Sequence, residues 1–343
     1  MFGFLTPKDP QTVVIEGSEN TIQTQSKETI LNAALRQGVR FPHSCKVGGC
    51  ASCKCQLLEG EVKELTESAY ILSEEDLENN MILACQAIPK TEVKISLGAT
   101  NGKAPKPLQS AGKVISQTRL THDIVELTIE TYQPINFLAG QYAQLNVPGT
   151  IEEPRCYSFA EAPSNSKELK FYIRQVEGGE MSTWANGDQA LGGELTVDGP
   201  YGDFYLRDSQ APMLMIAGGS GLAPVKSVLE DALNFKNPRP VTFLFGARTQ
   251  ADLYCLKELE SIAQNWAGAF EFIPVLSEEP EDSDWQGARG MVTEFMDKYA
   301  TPETQLYMCG PPPMLDAAER KARELGVEGK NIFADKFTDR STR

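Results

Sequence analysis

The chain has 343 residues, 41% of them hydrophobic, and a formal net charge of −15. The length predicts two or three domains that can each bury a core, and the acidic balance argues against a nucleic-acid partner, because phosphate binding requires clustered Lys and Arg. No apolar run approaches the roughly 20 residues that span a bilayer, and no signal peptide is predicted.

The first part of the chain, residues 1–98, mixes strand and helix patterns. A helix is predicted over 29–35, where apolar residues recur with helical spacing, and it ends at Gly38. The strand patterns lie at 11–16, 21–24, 55–58 and 92–96. These patterns predict a mixed sheet with one helix.

Four cysteines in this part follow the pattern C-x4-C-x2-C, with the fourth placed much later: Cys45, Cys50, Cys53 and Cys85. This is the plant-type spacing, in which four thiolates hold a [2Fe–2S] cluster. A mixed sheet with one helix and this metal-binding loop predicts a β-grasp ferredoxin domain. The rival interpretation is a zinc site, which prefers C-x2-C pairs at both ends. The other four cysteines are scattered (Cys55, Cys156, Cys255 and Cys309), and this suits a reducing cytoplasm.

Residues 99–111 lack periodicity and contain Pro, Gly and Lys, so they are predicted to form a linker. From 112 to 208 short strand patterns recur with turn residues between them, which predicts an antiparallel barrel. The predicted barrel strands are 113–119, 123–130, 141–147, 155–160, 168–175 and 194–198.

A flavin site is predicted on this barrel. Arg155 and Tyr157 alternate onto one face of a strand, where a guanidinium can bind phosphate and an aromatic ring can cover an isoalloxazine. A glycine turn at 178–183 opens a helix whose first N–H groups suit a pyrophosphate. The alternative for this turn is an ordinary capped helix with Ser182 as its cap.

Residues 209–343 alternate short apolar strands with helical segments, and this predicts a doubly wound parallel α/β domain. The strand patterns are 213–217, 241–245, 270–275 and 305–308. Two of them end in glycine turns, at Gly218–Pro224 and at Cys309–Met314. Such turns let the backbone close on the phosphates of a dinucleotide. Cys309 alone would be assigned to packing, but beside Gly310 it is predicted to touch the nicotinamide.

Together, the cysteine loop, Arg-x-Tyr-Ser, Gly-Gly-Ser-Gly-Leu-Ala-Pro and Cys-Gly-Pro-Pro-Pro-Met resemble the ferredoxin–NADP-reductase superfamily. More narrowly, the chain resembles NADH-dependent oxygenase reductases with an N-terminal ferredoxin domain, above all those that serve xylene monooxygenases. The segments that carry this narrower resemblance include Leu253-Tyr-Cys-Leu. The resemblance implies that FAD contacts Arg155, Tyr157, Ser158, Tyr172, Arg174, Gly179, Met181, Ser182, Thr183 and Phe337. It implies that NADH contacts Gly218, Gly219, Ser220, Gly221, Pro224, Cys309, Gly310, Pro311 and Met314. Ser158, near the flavin N5, and Cys309 would be the catalytic residues.

The resemblance also implies the reaction and its partner. NADH would give hydride to FAD, and electrons would pass singly through the cluster to a terminal oxygenase, favoured as a membrane-bound di-iron hydroxylase of the xylene or alkane type. The protein would then be cytoplasmic, with peripheral membrane contact through that partner. A Rieske dioxygenase or soluble di-iron hydroxylase as acceptor, or a redox-sensing binding protein, stay open as alternatives. NADH is preferred, although Arg248 could reach a 2′-phosphate.

Overall fold

The computed structural model describes residues 10–16, 21–39, 41–43, 46–49, 51, 53–72, 74–97, 105–164 and 166–337. These residues divide into two compact units, one ending at residue 97 and the other running from Pro105 to Phe337. Among the described residues, no helix combines the length and the apolar character needed to cross a membrane.

The first unit is a small mixed sheet with two helices. Its elements are β1 (Thr12–Ile15), β2 (Thr21–Gln23), α1 (Ile30–Arg36), β3 (Lys54–Glu59), β4 (Val62–Glu64), α2 (Glu74–Glu78), β5 (Met81–Leu83), β6 (Ala87–Pro89) and β7 (Val93–Ser96). The main sheet has the order β2-β1-β7-β3-β5, and β4 pairs with β6 apart from it. The Thr29 side chain caps α1 by accepting a hydrogen bond from the Asn32 N–H. Helix α1 buries its apolar side against the sheet, as its periodicity predicts.

The second unit begins with six antiparallel strands: β8 (Leu108–Arg119), β9 (Ile124–Thr131), β10 (Tyr142–Asn146), β11 (Arg155–Ser158), β12 (Glu168–Arg174) and β13 (Glu194–Tyr201), with α3 (Glu180–Asn186) between the last two. Their order is β11-β10-β13-β8-β9-β12, and a bridge between Phe159 and Phe171 connects the two ends. Apolar side chains from alternate positions fill the interior. This is the predicted barrel.

The second unit continues as a parallel sheet covered on both faces. Its elements are β14 (Met213–Gly218), α4 (Leu222–Asn234), β15 (Val241–Ala247), α5 (Leu256–Asn265), β16 (Phe270–Leu276), β17 (Ala288–Arg289), α6 (Met296–Tyr299), β18 (Gln305–Gly310), α7 (Pro312–Glu324) and β19 (Ile332–Lys336). The order β17-β16-β15-β14-β18-β19 is that of a doubly wound sheet. One face packs on α4, α5 and barrel residues, and the other packs on α6 and α7.

The predicted fold class is confirmed in all three parts, and two local differences have physical reasons. Strand β8 starts at Leu108, inside the stretch predicted as linker, because residues 108–113 pair with β13. The short elements β4, α2, β5 and β6 had not been predicted. They lie on either side of Cys85 in the sequence and are three to five residues long, too short for a periodic pattern to develop.

Candidate redox site

Two of the four predicted cluster ligands meet in the first unit. Antiparallel pairing of β3 with β5 places Lys54 opposite Leu83, so the residues at the ends of these strands, Cys53 and Cys85, come together. The backbone N–H of Cys85 lies 3.5 Å from the Cys53 sulfur. Both side chains are almost fully buried, at 3% and 4% exposure. Cys45 and Cys50 lie outside the described residues.

This pair fits a [2Fe–2S] cluster. Two buried cysteines that are not in a disulfide, with the backbone N–H of one directed at the sulfur of the other, are suited to share a metal centre. Cys55 is also fully buried. Its burial and, to a smaller extent, the nearby Cys85 raise the pKa of its thiol. It stays protonated and apolar in character, as expected for a core cysteine.

The predicted flavin strand is β11, which pairs with β10 so that Ser158 lies opposite Tyr142. Ser158 is buried at 4% exposure, whereas Arg155 and Tyr157 are only partly buried. The Arg155 guanidinium donates hydrogen bonds to the carbonyl oxygens of Glu153 and Pro154, at 2.9 and 3.1 Å. Burial raises the pKa of Tyr157. A neutral phenol ring beside an oriented guanidinium fits the uncharged ring and charged phosphates of FAD.

The predicted phosphate turn leads into α3, whose N-cap is Gly179. The Ser182 hydroxyl folds back onto the turn, where it accepts a hydrogen bond from the Val176 N–H at 3.1 Å. Met181 is buried in the barrel core at 1% exposure, so only its backbone can face a ligand. Thr183 is exposed. The first N–H groups of α3 have no partner within the helix, and they are the donors that this turn offers.

The two predicted nicotinamide turns lie side by side. Parallel pairing of β14 with β18 places Ala217 opposite Cys309, so both turns leave the carboxyl edge of the sheet together. A Cβ at Gly221 would overlap the carbonyl of Cys309, which is why glycine stands there. Met314 packs over Gly218, and Pro224 is buried at the start of α4. This is the crevice in which doubly wound sheets bind nucleotides.

Cys309 and Phe337 occupy the same edge of the sheet. Cys309 is fully buried. Its burial and, to a smaller extent, the nearby Asp335 carboxylate raise the pKa of its thiol well above the usual range. It therefore stays a neutral thiol rather than a thiolate nucleophile. The Phe337 N–H donates to the Gly310 carbonyl at 3.0 Å, so the end of β19 lies at this turn.

Arg174 connects the barrel with the nucleotide-binding sheet. Its Nη1 atom approaches Gly219 so closely that a Cβ there would lie 3.2 Å away. Its Nε donates to Asp123 at 2.7 Å. Burial raises the pKa of Asp123, but the hydrogen bonds from Thr121 and Arg174 outweigh that effect, so the net pKa is lowered. Arg174 is thus held at the nicotinamide turns, and its contact with FAD stays a prediction.

Two groups at this site, Tyr254 and Asp252, had not been predicted. The Tyr254 hydroxyl donates to the Gly219 carbonyl at 2.8 Å, and its ring packs edge-on against Tyr172 at 5.5 Å. Asp252 accepts a hydrogen bond from Arg248 at 3.1 Å. Tyr254 lies in the segment Leu-Tyr-Cys-Leu that had supported the family resemblance, and this is the one signal that could have identified it.

Helix α4 binds the barrel segment that follows β11. Ser227 donates to the Glu161 carbonyl at 2.6 Å, and the buried Lys226 ammonium donates to the Ala160 carbonyl at 3.3 Å. Lys226 also forms an ion pair with Glu230, whose other oxygen accepts from the Ala162 N–H at 3.0 Å. The helix that begins at one nicotinamide turn therefore holds the backbone two to four residues beyond Ser158.

Three family models match consecutive parts of the chain. The 2Fe-2S iron-sulfur cluster binding domain matches residues 13–90. The oxidoreductase FAD-binding domain matches 111–205, and the oxidoreductase NAD-binding domain matches 215–320.

Curated relatives match nearly the whole chain. The xylene/toluene monooxygenase electron transfer component of Pseudomonas putida is 43% identical over 339 residues, covering 98% of this chain and 97% of the relative. The phenol 2-monooxygenase reductase component of Pseudomonas sp. strain CF600 is 35% identical over 332 residues, covering 95% and 94%. Among solved structures, a cytochrome P450 reductase from Amycolatopsis has a TM-score of 0.75 and 32% identity, covering 96% and 99%.

Proposed function

The chain belongs to the reductases that carry electrons to oxygenases through FAD-binding, NAD-binding and [2Fe–2S] domains, and we propose that its acceptor is a membrane-bound di-iron hydroxylase. The relative with 43% identity is the electron transfer component of a xylene/toluene monooxygenase, and this supports the proposal. FAD takes the two electrons of a hydride and the cluster passes on one at a time, so the pair converts two-electron equivalents into single ones.

One observation supports the hydride-transfer site above all: Arg174 of the barrel approaches Gly219 of the nicotinamide turns within the second unit. In this proposal the flavin-binding and nucleotide-binding residues therefore line one cleft. Arg155 and the N–H groups that open α3 bind the FAD phosphates, and Tyr157 covers the flavin ring. Buried Ser158 offers its hydroxyl to the flavin N5.

The nucleotide-binding residues position NADH in the same cleft. The glycine turns at 218–221 and 309–310 admit its pyrophosphate, and Cys309 presents a neutral thiol to the nicotinamide. Phe337, whose backbone N–H donates a hydrogen bond to the Gly310 carbonyl, closes the edge of the site and excludes water. The residues orient the substrate and exclude solvent, and they contribute no acid or base.

We propose NADH rather than NADPH as the substrate. Arg248, the cation that a 2′-phosphate would need, is paired with Asp252 at 3.1 Å and lies 3.9 Å from Asp123. A second phosphate would therefore meet two carboxylates along with one guanidinium. Like charges at such distances disfavour binding.

Reconstitution with candidate acceptors tests the partner. The purified reductase, NADH and substrate are combined with membranes that contain a di-iron hydroxylase of the xylene or alkane type. Parallel reactions contain a soluble di-iron hydroxylase or a Rieske dioxygenase. We expect product formation with the membrane enzyme at a higher rate than with either alternative.

Each outcome of that comparison assigns the partner. A higher rate with the soluble hydroxylase or the dioxygenase, while NADH still reduces the flavin and the cluster, contradicts the membrane partner and leaves the reductase activity intact. A cytoplasmic reductase that meets its partner at the membrane surface is part of the same proposal.

A further inference from the structure

The side chain of Gln86 lies against a sulfur that the sequence assigns to the cluster. Its amide nitrogen is 3.6 Å from the sulfur of Cys85, the preceding residue. Gln86 is 8% exposed, so solvent competes little for this contact. Neither the family patterns nor the hydride-transfer site uses this residue.

The position of Gln86 is fixed on both sides. Its backbone N–H donates to the Leu83 carbonyl, and its own carbonyl accepts from the Leu65 N–H, both at 2.8 Å. The Thr66 hydroxyl donates to the amide oxygen at 3.4 Å. With its oxygen held by Thr66, the amide turns its N–H₂ group towards Cys85. An iron-bound thiolate can only accept hydrogen bonds, so the same orientation is required on chemical grounds.

Gly48 makes room for this arrangement. A Cβ at Gly48 would lie 2.8 Å from the Gln86 Cγ, and the backbone at Gly48 has a φ of +84°. Glycine is the residue that combines that conformation with so close an approach. The Gln86 side chain therefore packs against Gly48, in the loop between the predicted ligands Cys45 and Cys50.

We propose that Gln86 is a positioning residue that raises the reduction potential of the cluster by donating an N–H hydrogen bond to the Cys85 thiolate. Hydrogen bonds to the sulfurs and burial are the main protein contributions to such potentials. The reduced cluster carries one more negative charge than the oxidised one, so an N–H dipole directed at a sulfur stabilises the reduced form more. The inference rests on the proposed assignment of Cys53 and Cys85 as ligands.

The test is the cluster midpoint potential of full-length Gln86→Met, which keeps the length of the side chain and removes the donor. We expect a tenfold loss in the equilibrium constant for cluster reduction, which corresponds to a potential about 59 mV more negative for one electron. Gln86→Glu, which adds negative charge, should lower it further. The flavin potential in the same titration serves as an internal reference, and electron paramagnetic resonance reports the reduced cluster.

Gln56→Met is the matched control, because the Gln56 amide lies in the same unit and donates to the Asn79 carbonyl at 3.0 Å instead of a cysteine. It should leave the potential unchanged. A wild-type potential in Gln86→Met with a normal cluster spectrum would overturn the inference. If that variant does not assemble the cluster, Thr66→Val decides, since it frees the amide and should lower the potential in the same direction. A wild-type cluster spectrum in Cys85→Ser would instead overturn the ligand assignment.

Discussion

Cys85 is the residue at which the two cofactor sites can be separated experimentally. We predict that Cys85→Ser abolishes NADH-driven reduction of cytochrome c but spares reduction of ferricyanide. The reason is that ferricyanide can take electrons directly from the flavin site in the second unit, whereas cytochrome c depends on the cluster. Steady-state rates with the two acceptors, measured on one preparation, check this.

Cys156→Ser is the control for that experiment, because it changes a cysteine of β11 that lies outside the predicted ligand set. It should retain both activities. Equal loss of both activities in Cys85→Ser, with FAD still bound, would contradict the proposed order of electron transfer.

Residue-level prediction was most specific where chemistry restricts the choice of residue. Cysteine spacing identified Cys53 and Cys85, which the fold brings together. The glycine at 221 was predicted from its turn, and it touches Cys309 in the structure. Arg174 shows the limit, because its strand pattern gave no sign that it approaches Gly219. Its approach to Gly219 depends on how the barrel meets the sheet, and that is decided by contacts far apart in sequence.

At the scale of elements, helix α4 connects the predicted nicotinamide turn at its start with the barrel segment that follows β11. We predict that Lys226→Met slows flavin reduction by NADH about tenfold or more, because small misplacements of reacting groups cost up to roughly a hundredfold in rate. Without the lysine, Glu230 loses its ion-pair partner beside the barrel, and the contact with the Ala160 carbonyl is lost. Anaerobic stopped-flow absorbance of the flavin measures the rate.

Two variants separate positioning from loss of stability. Lys226→Arg keeps the cation and should recover most of the rate. Lys298→Met removes an exposed lysine of α6, 70% exposed and paired with Glu271, and should have no effect. If Lys226→Met binds FAD normally and is reduced at the wild-type rate, α4 does not position the reacting groups.

Element-level prediction followed the strength of the periodic signal. The long apolar strands β14, β15 and β18 were predicted within one or two residues of their bounds. In β8, residues 108–111 were taken as linker because Gln109, Ser110 and Gly112 mask the alternation that pairing with β13 reveals. The elements around Cys85 were missed altogether, since a strand of three residues is defined by its partner rather than by its own sequence.

At the scale of the molecule, the order of the three domain types could be predicted because each carries its own cofactor motif. The acceptor could not be derived from the residues alone, because the oxygenase chemistry belongs to another polypeptide. What the chain does provide is its charge of −15. A field of this sign steers partners of opposite charge and falls off with salt.

That charge predicts a salt dependence that differs between acceptors. Glu64 and Glu67 are exposed on either side of Leu65, whose N–H is bonded to Gln86 beside Cys85. We therefore expect the reduction of cytochrome c, a basic protein, to slow by roughly tenfold from low ionic strength to about 0.5 M salt. Reduction of ferricyanide, an anion, should not slow, because salt screens its repulsion from the protein. Second-order rates across a salt series measure both.

The double variant Glu64→Gln with Glu67→Gln locates the effect. If the acidic residues near Cys85 steer the partner, this variant has a lower rate at low salt and a flatter salt dependence, whereas Glu303→Gln, an exposed change in the second unit, alters neither. An unchanged slope in the double variant would mean that the charge is spread too evenly to direct docking. The salt dependence would then come from the net charge of the whole molecule rather than from Glu64 and Glu67.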